Sequence, residues 1–105
     1  MSVVRISKGR FAPDRFAEVA RLIEESDAAL TPAIRKLRGL KYYHAGVDRE
    51  TNTVVNVSIW EDMPTAQQMS TLAEMLAQRP ILEGAGVVFD KIANYEPLWK
   101  IEREE

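Results

Sequence analysis

The residues best suited to handle a small organic molecule gather on one run, Thr53–Trp60 (TVVNVSIW), and on the run just before it. Trp60 offers a flat apolar indole with one N–H donor, a surface on which an aromatic ring can stack; its other use is to fill a core. Asn56 and Ser58 bring an amide and a hydroxyl, and under a covering layer such groups need partners. Either they orient a carbonyl or phenol of a ligand, or they satisfy each other, a water or Tyr43. His44 is the one histidine of the chain and carries the side chain suited to proton transfer near neutrality. With Tyr43 beside it, it is the candidate catalytic residue; the alternative is a structural place or one at an interface. Arg5 suits an anionic group on a ligand, or a strand-edge salt bridge.

Positioning these groups requires strands. In Thr53–Trp60, Val55, Val57 and Ile59 alternate with Val54, Asn56, Ser58 and Trp60, the period of a strand with two different faces. The first set is an apolar sheet surface and the second has the makings of a pocket wall. Asp62-Met63-Pro64 then signals a helix start. Leu40–Asp48 (LKYYHAGVD) reads as the preceding strand, joined through Arg49-Glu50-Thr51-Asn52 in a hairpin. With Asp48 opposite Thr53, Val47 faces Val54, Ala45 faces Asn56, Tyr43 faces Ser58 and Lys41 faces Trp60. Tyr43 then shares the mixed face and His44 points away; one more residue in the turn exchanges them.

The first strand is predicted over residues 2–8, with Val4 and Ile6 on one side, Val3, Arg5 and Ser7 on the other, and Gly9 as its end. Ala12-Pro13-Asp14 opens a helix whose buried stripe is Phe16, Val19, Ala20 and Ile23. That helix is expected to weaken at Ser26-Asp27, restart at Thr31-Pro32 and stop at Gly39. A second helix is predicted over 64–78, with Met69, Leu72, Ala73 and Leu76 inward and a break at Arg79-Pro80, followed by a turn-rich connector to Gly86. Met63, Met69 and Met75 fall near the helix that would roof a pocket, where methionine also serves as ordinary packing. The last strand is expected over 87–99, with Phe89, Ala93 and Tyr95 on one side and Val88 and Ile92 on the other. Pro97 places its end at an edge or off the sheet.

The order β-α-β-β-α-β defines an α+β, ferredoxin-like subunit with a four-stranded antiparallel sheet, one domain spanning residues 1–105. Its helices cover one sheet face only, while the strands carry apolar residues on both. The bare face therefore calls for a second copy of the chain, a homodimer. A net charge of -2 gives no basic footprint for nucleic acid. No apolar run is long enough to span a membrane and no signal-type leader is visible, so a cytoplasmic protein is expected. With no cysteine and one histidine, thiolate chemistry is excluded and a dedicated metal site is not expected.

Gly39-Leu40-Lys41-Tyr42-Tyr43 opening the second strand, the hairpin, and above all Val57-Ser58-Ile59-Trp60-Glu61-Asp62 make the chain resemble the antibiotic-biosynthesis-monooxygenase-type family of dimeric α/β barrels. The resemblance runs from about Val3 to Tyr95. It implies two sheets packed face to face in a dimer and a pocket in each subunit between sheet and helices, with Trp60 as a lining residue. Haem-degrading relatives use a histidine on the helix after the third strand, and residues 64–78 contain none, so haem is not expected; nor is there a glycine-rich phosphate loop for a flavin or nicotinamide. The activity implied is cofactor-independent oxygenation of a small hydrophobic or aromatic metabolite. A base deprotonates the substrate, and the electron-rich carbanion reacts with oxygen. The alternatives are a non-catalytic ligand-binding or stress-response barrel, and a closed core in which the dimer is the functional surface.

Overall fold

The computed structural model describes residues 2–103. Strand β1 (Val3–Arg10) leads into helix α1 (Phe16–Arg35), then the hairpin of β2 (Leu40–Asp48) and β3 (Thr53–Trp60). Short α2 (Met63–Gln67) and α3 (Ala73–Gly84) follow, then β4 (Val88–Phe89) and β5 (Ala93–Tyr95). All pairings are antiparallel in the order β2-β3-β1-β4, with β5 continuing along the same edge of β1. This is the ferredoxin-like arrangement, with the helices on one face and no closed barrel within the chain.

The hairpin has the expected register over most of its length. Tyr43 pairs with Ser58, Ala45 with Asn56 and Val47 with Val54, and His44 is on the other face. At the open end a β-bulge between Leu40 and Tyr42 sets Leu40, not Lys41, against Trp60. The extra residue turns Lys41 outward, where its Nζ donates to Ser2 Oγ at 2.7 Å, and lets an apolar side chain meet the core.

Both helical segments differ from the sequence expectation. α1 is continuous: Ser26 Oγ donates to the Ile23 carbonyl at 2.6 Å, and Thr31 bonds Asp27 within the helix instead of capping a new one. Pro32 removes the N–H that Ala28's carbonyl would use, but Ala28 is exposed, so water can serve it. On either side of the proline, buried Leu30, Ala33 and Ile34 hold the helix to the sheet, and packing outweighs propensity.

In the second segment the break falls at Leu72, whose extended backbone ends a 3₁₀ turn and starts α3. α3 then runs through Pro80 to Gly84. Ala73 and Leu76 are exposed, and Leu82 lies in the core. An Asp62–Thr65 capping box opens α2, with Thr65 N donating to Asp62 Oδ1 at 3.0 Å and Asp62 N to Thr65 Oγ1 at 3.3 Å. These bonds hold the Asp62 carboxyl below the usual carboxylate range.

The last strand is two pieces separated by a bulge. Phe89 pairs with Gly9 and Ala93 with Ile6, so residues 90–92 stand opposite Ser7 and Lys8. Three residues against two reverse the alternation. Phe89 therefore faces the helices, while Ala93 and Tyr95 lie on the open face, not on one side as the sequence suggested.

Across β1, β3 and β2 the helix-facing side chains fall in four rows: Val3–Trp60–Leu40, Arg5–Ser58–Tyr43, Ser7–Asn56–Ala45 and Gly9–Val54–Val47. The outer rows belong to two separate apolar clusters. One contains Val3, Leu30, Ile34, Trp60, Ala66 and Met69. The other contains Phe11, Val19, Val54, Leu82, Ala85 and Val87. The polar rows lie between them. On the reverse face Val4, Ile6, Val55, Val57 and Ile59 have no helix over them.

Gly39 joins α1 to this arrangement at φ +77°, and a Cβ there would come within 2.7 Å of Thr65 Oγ1. Gly39→Ala is expected to destabilise the protein by about 1–3 kcal/mol in urea denaturation. Gly84→Ala, at the last turn of α3 with open space around it, should be neutral or gain up to about 1 kcal/mol.

Candidate functional site

Between the two clusters the helices stand off the sheet and leave a cavity of about 220 Å³ under α3. Arg5, Ser7, Tyr43 and Asn56 rise from the sheet into it, Leu30 and Ser26 close it from α1, and Met75, Gln78 and Leu82 close it from α3. Ile92, turned inward by the bulge, forms its outer wall with Phe89. At the inner end a recess of about 40 Å³ is bounded by Arg5, Tyr43, Asn56, Ser58, Met69 and Met75. A broader groove of about 590 Å³ runs between α1 and β2. It shares Ile23, Ser26, Leu30, Tyr43 and Ala45 with the cavity and is also lined by Glu24, Asp27, Thr31 and Arg35, whereas Arg5 and Asn56 line the cavity under α3 and not the groove.

The groups there differ in how well they are satisfied. Trp60 is fully buried, and its Nε1 donates to Ser58 Oγ at 2.8 Å. Indole and hydroxyl thus complete each other. Asn56 makes no side-chain hydrogen bond among the described residues. The Tyr43 hydroxyl is buried without a partner among them. Arg5 is only 8% exposed, and its one side-chain hydrogen bond in the described structure is from Nη1 to Asn94 Oδ1 at 3.4 Å.

Burial and charge pull the two central groups apart in a definite sense. Burial pushes the Tyr43 phenol up to about 12, against the opposing pull of the Arg5 charge. Desolvation lowers Arg5 from its ordinary value, with Tyr43 acting the other way. Tyr43 is thereby a hydrogen-bond donor that keeps its proton, not a base.

Arg5, Tyr43, Asn56 and Ser58 are thus brought together at the inner recess. Trp60 is set behind Ser58, among Val3, Ile34 and Ala66, and lines none of the three cavities. The direct Trp60–Ser58 bond is a pairing that sequence reasoning did not consider. His44 is exposed on the opposite face, its ring edge-on to Tyr42 at 4.9 Å. Asn94 and Ile92 were missed because a regular last strand conceals the bulge; the charged Asp90-Lys91 inside an apolar run was the available signal. Among the described residues no His/Cys/Asp/Glu cluster of three could hold a metal, and no helix is long and apolar enough to cross a membrane.

The fold is that of the antibiotic-biosynthesis-monooxygenase-type proteins. A Deinococcus radiodurans protein classed as an antibiotic biosynthesis monooxygenase is 17% identical and superposes with a TM-score of 0.72, over 98% of this chain and 99% of that one. SnoaB, a cofactor-independent oxygenase from Streptomyces nogalater, is 14% identical with a TM-score of 0.65, over 97% and 98% of the two chains. A further antibiotic biosynthesis monooxygenase is 14% identical with a TM-score of 0.68, over 91% and 98%. At these identities the likeness is one of fold. No family model and no curated protein matches the sequence.

The Tyr43 environment makes a prediction for alkaline stability. The folded-state phenol titrates at about 12 against 10.0 when unperturbed, so the folded state holds this proton more tightly than the unfolded one. The associated stability is intact below pH 10 and is lost as pH rises through 12. Two units correspond to about 2–3 kcal/mol. Tyr43→Phe should abolish that decline in urea denaturation between pH 10 and 12. At neutral pH, having removed an unpartnered hydroxyl, it should be no less stable than wild type.

Proposed function

We propose that this chain is a cytoplasmic, cofactor-independent monooxygenase-like protein that takes a small hydrophobic or aromatic metabolite into the cavity under α3 and works as a homodimer. The observation that carries this reading is the inner recess, where the buried Tyr43 hydroxyl has no partner among the described residues and Arg5 and Asn56 line the same space beside the thioethers of Met69 and Met75. The fold likeness to SnoaB, itself a cofactor-independent oxygenase, supports the reaction class. In that reaction the substrate is both the acid and the reductant: its proton passes to solvent, the carbanion gives its electrons to dioxygen, and one oxygen atom stays on the product as a carbonyl while the other leaves as water. The chain's part is to bind, orient and exclude water. Asn56 positions a polar group of the substrate, Tyr43 donates a hydrogen bond, Ser58 is held in place by Trp60, and the methionines and Ile92 enclose the apolar body.

A non-catalytic ligand-binding barrel is the second reading, and one observation favours it. His44 is on the far side of the sheet, and Tyr43 keeps its proton to about pH 12, so the inner recess brings no strong base to a substrate. In both readings the bare sheet face is covered by a second copy, sheet against sheet, as the dimeric α/β barrel requires. Val4, Ile6, Val57 and Ile59 then become buried, and Tyr42 and His44 fall at the interface.

Calorimetry and oxygen uptake against quinols, polyphenols and flat aromatic acids test the function. Oxygen consumed in proportion to substrate, with kcat falling about tenfold in Asn56→Ala at unchanged Tm, supports the oxygenase. Saturable binding without uptake moves the protein to the binder, and no binding across the panel removes both. For the dimer, sedimentation at micromolar concentration should give twice the chain mass, and Val57→Lys should give a folded monomer; a folded wild-type monomer would refute it.

A further inference from the structure

We infer that Arg5 and Tyr43 form a carboxylate-binding pair at the inner end of the cavity, and that the natural ligand is a small hydrophobic carboxylic acid. The inference rests on the cavity being a ligand site and adds the class of ligand.

Arg10–Asp90, Arg15–Glu18, Arg21–Glu25 and Arg79–Glu83 all lie at the surface with both partners well exposed. Such pairs contribute little. Arg5 is the reverse case, deeply buried mid-strand, with a neutral amide as its only side-chain partner among the described residues. A buried charge without a counter-charge is costly. Across Ser58 in the same cross-strand row, and lining the same recess, is the Tyr43 hydroxyl, buried without a partner among the described residues. A water would satisfy the phenol but leave the guanidinium uncompensated. A carboxylate answers both: one oxygen accepts from the guanidinium, the other from the phenol, and the net charge at the recess becomes zero.

Other anions fit less well. A phosphate approaches two negative charges at neutral pH, whereas the recess holds one cation. Arg79, at the cavity's outer end, is paired to Glu83 at 3.3 Å, and the central strands' backbone N–H groups are committed to ladders on both sides. A substrate phenolate is disfavoured because a phenol, with an ordinary pKa of about 10, reaches the recess protonated at pH 7. The anion must arrive already ionised, as a carboxylic acid does with an ordinary pKa of about 4. Met69, Met75 and Ile92 then receive its apolar body.

The test is calorimetric titration at pH 7 and low salt with benzoate, naphthoate and octanoate, each beside its carboxamide. At least one acid should bind roughly tenfold or more tightly than its amide, as a charge-assisted pair implies. Arg5→Met should erase that preference while leaving amide affinity within about twofold, and Arg5→Lys should restore part of it. Tyr43→Phe should weaken the acid alone. Equal affinities for acid and amide in the wild type, or a preference that survives Arg5→Met, would overturn the inference while leaving the cavity as a ligand site. No binding by any member would overturn both. Should Arg5→Met fail to fold, the wild-type ratio and Tyr43→Phe decide.

Discussion

A guanidinium in the middle of the central strand, facing the helices, constrains everything around it. A sheet whose covered face is apolar throughout lets helices settle evenly onto it. Here Arg5, Ser7, Ser58 and Asn56 interrupt that face, so the two layers close at the ends and not over the middle. The consequence is a divided core: one cluster around Trp60 under α2, another around Val54 and Leu82 under α3. The break at Leu72 belongs to the same compromise. One straight helix over both clusters would follow a single line, whereas two short ones address each end separately and roof the gap between.

The strand faces were legible in the sequence because side-chain alternation is local and obligatory. Once Asp48 is set opposite Thr53, every later pair follows, and Tyr43 falls beside Ser58 without further information. The bulges at Leu40–Tyr42 and at residues 90–92 were not legible, since they reset the alternation by one residue and answer to tertiary needs: an apolar partner for Trp60, and Phe89 against Gly9. The helices were misjudged for a related reason. Pro32 and Pro80 carry a local penalty that the sequence shows, while the contacts that overrule it, Ile34 and Leu82 in the two clusters, are visible only in three dimensions. Leu72 carries no glycine or proline to mark the break.

For the site, chemical type was readable and satisfaction was not. Arg5, Tyr43, Asn56 and Ser58 were identifiable as polar groups on a face that helices cover. Which of them lack partners depends on geometry: the indole of Trp60 takes up Ser58, while the phenol of Tyr43 is left alone. Trp60 illustrates the limit most clearly. Its position at the strand end, just before the capping box of Asp62 and Thr65, sets it beneath α2, where a large ring is needed as packing.

The bulge that divides the last strand also makes the two margins of the sheet unlike each other. Along β2 nine residues run with one irregularity near the start, a margin regular enough to template another extended chain. Along the opposite side the pieces are two and three residues long, set out of phase, and followed by Pro97. Continuous strand addition there meets a change of register and then a residue with no N–H to offer. Edge-to-edge growth into a fibre needs two compatible margins per molecule, and this sheet offers one. The same irregularity that turns Ile92 toward the cavity therefore also limits the ways in which copies of the chain can polymerise.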